Sequence, residues 1–127
     1  MRIIGHGIDI MQYGRTKTHL ASADQDWLHS IFTIEEQAQA DNPPHAIAFY
    51  SGREAAKEAV AKALGTGFSG DVSWYDIEIL RTPLGAAEVR LTHGAKNIAI
   101  SLGITSWFVS ISHTGDYAIA SVIAAAD

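Results

Sequence analysis

The stretch Gly52-Arg-Glu-Ala-Ala-Lys-Glu-Ala-Val-Ala-Lys-Ala-Leu-Gly-Thr-Gly67 decides the reading of this chain. Its alanines at 55, 56, 59, 61 and 63 are strong helix formers and let neighbouring backbones approach closely. Gly65 is the residue type that ends a helix in the left-handed conformation. The pattern predicts a long helix from His45 or Ala46 to Leu64. On it, Glu58 and Lys62 stand four residues apart and share one face. That face offers a hard oxygen ligand for a metal and a point charge for a phosphate, a pairing that suits a diphosphate-bearing substrate. The same spacing is also that of a solvated ion pair worth about 0.2–0.5 kcal/mol, so the helix alone leaves both readings open.

Upstream, Ile3 to Ile10 reads as a buried strand, with β-branched residues at 3, 4, 8 and 10. Gly5 and Gly7 within it suggest close backbone approach or a bulge. Asp9 sits among isoleucines, where a buried charge is costly unless paired or metal-bound. Residues 11–30 are mixed and polar and predict short helical turns. Thr33 and Glu36 form a capping-box signature for a helix that the prolines of Asp41-Asn-Pro-Pro44 must end.

Downstream, Trp74–Leu80 and Glu88–Leu91 read as strands around a turn at Pro83-Leu-Gly85. Thr92 marks the start of a helix running to Leu102, with Gly103 past its end. Ser106–His113 and Tyr117–Ala124 predict a hairpin, and alternation puts Ser110 and Ser112 on the face opposite Val109, Ile111 and His113. Strand, helices, then strands with one more helix between them point to an α+β domain, an antiparallel sheet with a long central helix packed on it.

The chain of 127 residues, 47% hydrophobic and 18% charged, is expected to form one globular domain. With no cysteine, disulfides and thiolate metal sites are excluded, and a metal would be held by oxygen or imidazole, favouring Mg²⁺, Mn²⁺ or Ca²⁺. A net charge of −5 argues against a nucleic-acid partner. The apolar start is too short and interrupted for a membrane span and lacks signal-peptide features, so no membrane association and a cytoplasmic location are expected.

Gly7-Ile-Asp-Ile10, Gly52 to Gly67 and Val109-Ser-Ile-Ser-His-Thr114 together resemble the holo-(acyl-carrier-protein) synthase family, the short group of 4′-phosphopantetheinyl transferases. Asp76-Ile-Glu-Ile79 and Tyr117-Ala-Ile-Ala-Ser-Val122 fit the same order. The resemblance implies transfer of the 4′-phosphopantetheine arm of coenzyme A, the co-substrate, to a serine of an apo acyl carrier protein or related carrier domain, releasing adenosine 3′,5′-bisphosphate. It implies Asp9 and Glu58 as ligands of Mg²⁺ (or Mn²⁺), and Arg53, Lys62, Ser112, His113 and Thr114 around the coenzyme A phosphates. It also implies a homotrimer with active sites between subunits.

In that setting Asp9, Glu58 and Lys62 are the candidate catalytic residues, with Glu58 the first choice of base for the serine proton and Asp9 the second. Plainer accounts exist for several site residues: Asp9 could cap a strand end or pair with an arginine, His113 could be a packed turn residue, and Arg53 a solvated helix charge. Trp27, Trp74 and Trp107 suit the core or a subunit interface.

The chain departs from the family in its early helices. Arg15 and Lys17 are present, but Asp24 and Asp26 accompany them, and Trp27-Leu-His-Ser-Ile-Phe-Thr33 stands where arginines are expected to meet an acidic carrier. A less acidic carrier, or docking through Trp27, Leu28, Ile31 and Phe32, is the expectation. Gly85-Ala-Ala87 replaces the family's Gly-x-Pro turn. The competing readings are a coenzyme A thioester hydrolase and a non-catalytic trimer that binds coenzyme A or a carrier.

Overall fold

A computed structural model describes residues 1–22, 26–40 and 45–127. The proline stop at 41–44 and Asp24 lie outside them. The elements are β1 (Arg2–Gln12), α1 (Tyr13–Ala21), α2 (Asp26–Ile31), α3 (Ile34–Ala38), α4 (Ala46–Leu64), a single 3₁₀ turn (Trp74–Asp76), β2 (Ile77–Arg81), β3 (Ala87–Leu91), α5 (His93–Leu102), β4 (Ser106–Thr114) and β5 (Tyr117–Ala126). The expected α+β domain is present. Its strands divide into a three-stranded antiparallel sheet, β1-β5-β4, and a β2-β3 hairpin. Four local expectations change: β1 is longer than Ile3–Ile10, it is not a buried strand because Ile3, Ile8 and Ile10 are exposed on its face away from α4, α1 is a continuous helix rather than turns, and Trp74–Asp76 is helical before the strand begins.

The long helix lies where its alanines allow. On β1, Gly5 and Gly7 face α4 so closely that a Cβ would come within 2.1 Å of the Ala63 carbonyl oxygen and 1.9 Å of that of Ala59. Helix backbone therefore rests on strand backbone, and β1 also shifts register between Ile3 and Gly5. Ala55, Ala56, Ala59, Val60, Ala120 and Val122 fill the layer between helix and sheet and are fully buried. Gly65 closes α4 at φ 82°, as its residue type predicts.

A buried polar knot fixes the rotation of α4. The Lys57 ammonium donates to Glu36 Oε1 at 2.6 Å with both side chains fully buried. The same carboxylate accepts the backbone N–H groups of Thr33 and Ile79, each at 2.9 Å, so α3, α4 and β2 meet on one group. Thr33 caps α3 as expected and also donates to Glu78 at 2.6 Å. Burial lowers the Lys57 pKa while Glu36 and Glu78 push it back up.

A second cluster contains Ile31, Phe32, Phe49 and Tyr50. Phe32 is fully buried and Ile31 nearly so, and Trp27 and Leu28 pack partly buried against the cluster. This corrects the expectation of an apolar docking surface there: these side chains join α2 to the start of α4.

Candidate active site

Between Phe49 and Leu64, only Glu58 and Lys62 of α4 reach the surface. A helix buried on nearly every side has no solvated face, so the plain reading of an exposed pair along the helix does not describe them. Lys62 Nζ instead reaches across to β1, donating to the Ile8 carbonyl at 2.9 Å and to Asp9 Oδ1 at 3.2 Å. Gly7 and Asp9 alternate onto the helix-facing side of β1, so the glycine contact brings the Asp9 carboxylate beside α4.

The carboxylates crowd one another. The Glu58 pKa is raised first by burial, then by the charges of Asp9 and Glu54, with Lys62 and Arg15 opposing. Glu54, one turn earlier on the same stripe, is buried. Its Oε2 accepts from Arg15 Nη1 at 2.9 Å, while Oε1 has no hydrogen-bond partner among the described residues. Burial raises its pKa against the pull of Arg15. The sequence reading missed Glu54 and its bond to Arg15; the signal was the stripe Glu54, Glu58, Lys62 at successive four-residue steps.

Among the described residues no group of three or more histidine or carboxylate side chains is arranged to hold a metal. Asp9 and Glu58 would supply two hard ligands, not a cage. That donor set fits Mg²⁺, which keeps several waters and takes its remaining ligands from substrate phosphates. Like-charge crowding at Glu58 is what a bound divalent cation relieves.

A second polar group lies on the other side of α4. Arg53, only 8% exposed, sets its guanidinium 4.6 Å from the Phe49 ring centroid. His113 Nε2 stands 3.1 Å from the Ala48 carbonyl oxygen, which only accepts, so this nitrogen carries the proton. Gly52 makes room for the imidazole: a Cβ there would stand 3.0 Å from His113 Nε2. Arg53, Arg81, Ser110 and His113 line a cleft of about 340 Å³ with the Gly85–Ala87 turn. Arg81 was not singled out from the sequence. Ser112 lies on the sheet face turned away from α4, as the alternation predicted; neither it nor the exposed Thr114 lines this cleft.

Asp9 and Lys62 line a different cleft, of about 260 Å³, with Ile8, Ile10 and Ile119. The two clefts share no residue. Asp9 belongs to one edge strand of the sheet and His113 to the other, with β5 between them. Glu58 and Arg53, five residues apart, point about 140° away from each other around the helix. Within one chain Asp9 and Lys62 thus lie apart from Arg53 and His113, and Ser112 and Thr114 line neither cleft. A larger cleft, of about 480 Å³, is lined by Gln12, Tyr13, Lys17, His45 and Asp116 and includes none of the predicted site residues; its Tyr13 ring lies 6.2 Å from that of His113.

Residues 5–122 match the family model of the 4′-phosphopantetheinyl transferase superfamily. A holo-(acyl-carrier-protein) synthase from Desulforudis audaxviator is 41% identical over 96% of this chain and 92% of its own length. Among solved structures, the holo-(acyl-carrier-protein) synthase of Neisseria meningitidis superposes with TM-score 0.86 at 32% identity, covering 97% of this chain and 98% of its own. That of Bacillus anthracis, in complex with CoA (3′,5′-ADP), superposes with TM-score 0.82 at 29% identity over the full length of both. No helix among the described residues is long and apolar enough to cross a membrane.

Proposed function

Because the chain belongs to the 4′-phosphopantetheinyl transferase superfamily and is a phosphopantetheinyl transferase, we propose that it moves the 4′-phosphopantetheine arm of coenzyme A onto a serine of an apo acyl carrier protein, with Mg²⁺ or Mn²⁺, through half-sites contributed by two subunits of a homotrimer. The observation that carries this reading is the emergence of Glu58 and Lys62, alone between Phe49 and Leu64 on α4, beside Asp9.

In this reading the serine Oγ attacks the β-phosphorus of coenzyme A. The bond to the bridging oxygen breaks, and adenosine 3′,5′-bisphosphate leaves with that oxygen. Glu58, at the surface of α4 beside Asp9, takes the hydroxyl proton as general base. Lys62 lies against the diphosphate and is oriented by the Ile8 carbonyl and Asp9. Asp9 and Glu58 would hold the cation, which supplies Lewis-acid neutralisation of phosphate charge when bound. Arg53 and His113 would grip the 3′-phosphate from the neighbouring subunit.

Assembly is supported by the uncovered side of the three-stranded sheet. Ile8, Ile10, Phe108 and Ile119 are 50%, 60%, 50% and 37% exposed on that side. Contiguous apolar surface of this kind marks an interface. Ile8, Ile10 and Ile119 also border the Asp9 and Lys62 cleft, so an interface there runs along the rim of the first half-site. Family membership sets aside the thioester hydrolase and the non-catalytic binder.

The test is incubation with coenzyme A, Mg²⁺ and a panel of apo carrier proteins, read by mass spectrometry of the carrier. A gain of one phosphopantetheine, abolished by chelator and restored by Mg²⁺, is expected. No gain on any carrier, or an equal gain in chelator, contradicts the reading.

A further inference from the structure

We propose that Glu54 is a specificity-determining residue: its buried carboxylate offsets the charge of Arg15 beside Asp9 and Glu58, so that the enzyme does not depend on a strongly acidic carrier surface. This rests on the transfer reading above. Arg15 Nη1 donates to Glu54 Oε2 at 2.9 Å and to Met11 Sδ at 3.0 Å. The first is the one hydrogen bond of the Glu54 carboxylate among the described residues. Glu54 stands one helical turn before Glu58, and Met11 two residues beyond Asp9 on β1. The guanidinium is thereby held beside both carboxylates of the site, close enough for its charge to act on Glu58.

The two halves of this ion pair face different media. The Arg15 side chain is 53% exposed and that of Glu54 2%. A carrier that brings its serine hydroxyl to Glu58 covers the surface around that residue, and Arg15 is part of it. From the carrier's side, the cation has its counter-charge directly behind it, in protein rather than in water. Solvent ions screen a buried charge poorly. Glu54 therefore offsets most of the attraction that Arg15 alone would exert on a carrier carboxylate. Lys17, the other long cation of α1, lies on the opposite side of that helix and lines the cleft with Asp116, so it does not replace Arg15 beside Glu58. Rim charges steer encounter and partner choice, and at this rim the pair is close to neutral.

Glu54→Gln keeps the size of the side chain and removes its charge. The acceptors are the best apo carrier of the panel above and a version of it whose carboxylates around the acceptor serine are replaced by amides. After a melting curve establishes that the variant is folded, kcat and KM for both carriers are measured at low and high salt. The expected result is a KM for the acidic carrier lowered roughly two- to fivefold at low salt, with kcat retained, a steeper salt dependence and no change for the neutralised carrier. Adding Arg15→Gln removes the gain. An unchanged or raised KM for the acidic carrier, an equal gain on both carriers, or a gain that survives Arg15→Gln overturns the proposal. The two levels fail differently: transfer by the parent chain without the gain in the variant removes the Glu54 assignment alone, whereas no transfer by the parent to any carrier of the panel removes the transfer reading with it.

Discussion

Gly7 on β1 and Ala59 on α4 meet backbone to backbone: a Cβ on Gly7 would lie 1.9 Å from the Ala59 carbonyl oxygen. This contact sets the distance between the strand that carries Asp9 and the helix that carries Glu58. Gly7→Ala therefore forces the two elements apart, and overpacking of backbone against backbone costs about 3 kcal/mol or more. The predicted outcome is a lower urea midpoint together with loss of transfer. Gly14→Ala, within α1 where a Cβ meets nothing within 4 Å, is the control and lowers neither.

Glu58→Gln keeps the shape of the helix face and removes the base. Transfer is predicted to fall by about 10²–10⁴-fold, while coenzyme A binding, measured by calorimetry, is largely retained. Turnover near the parent rate would assign the proton to another group.

Glu54 carries a stability cost that depends on pH. Its folded pKa lies above the ordinary value because burial outweighs Arg15. Between the two values the native state binds the proton more tightly than the unfolded chain, so stability falls as pH rises through that window. The ionised group therefore destabilises the fold at neutral pH. Glu54→Gln is predicted to raise the melting temperature at pH 7 by a few degrees, the gain fading as pH drops toward the ordinary carboxylate range. A lower melting temperature at pH 7 would mean that the Arg15 bond dominates.

Lys57 and Glu36 make the opposite case, a pair whose halves are each needed. Lys57→Met leaves a fully buried carboxylate without its cation, at a cost of about 3–5 kcal/mol. Adding Glu36→Gln should recover part of that loss in denaturant titrations, because the remaining group is neutral. Strict additivity of the two changes would show that the pair is not coupled.

The fold was legible where one residue type had one physical role. The alanine run, Gly65, the Thr33–Glu36 cap and the alternation through Val109–His113 each gave the observed element. Side-chain destinations were not legible. Ile31 and Phe32 are apolar residues beside polar ones, and only the tertiary packing shows that they turn inward. Glu54 lay within the helix motif but unremarked and Arg81 outside any motif, and their places depend on contacts with Arg15 and Phe49 that cross 39 and 32 positions of the chain. The separation of Asp9 from His113 follows from strand order, β1-β5-β4, which motif spacing does not encode.

The central claim is that the two half-sites flanking α4 become one active site only between subunits. Mixing two inactive variants tests it most directly: Asp9→Asn/Glu58→Gln, with an intact phosphate cleft, is co-refolded with Arg53→Gln/His113→Ala, with intact carboxylates. Random assembly pairs an intact half with an intact half in about one quarter of interfaces, so activity should return to about that fraction of the parent, with neither variant active alone. No recovery in a mixture that forms mixed oligomers would contradict the account.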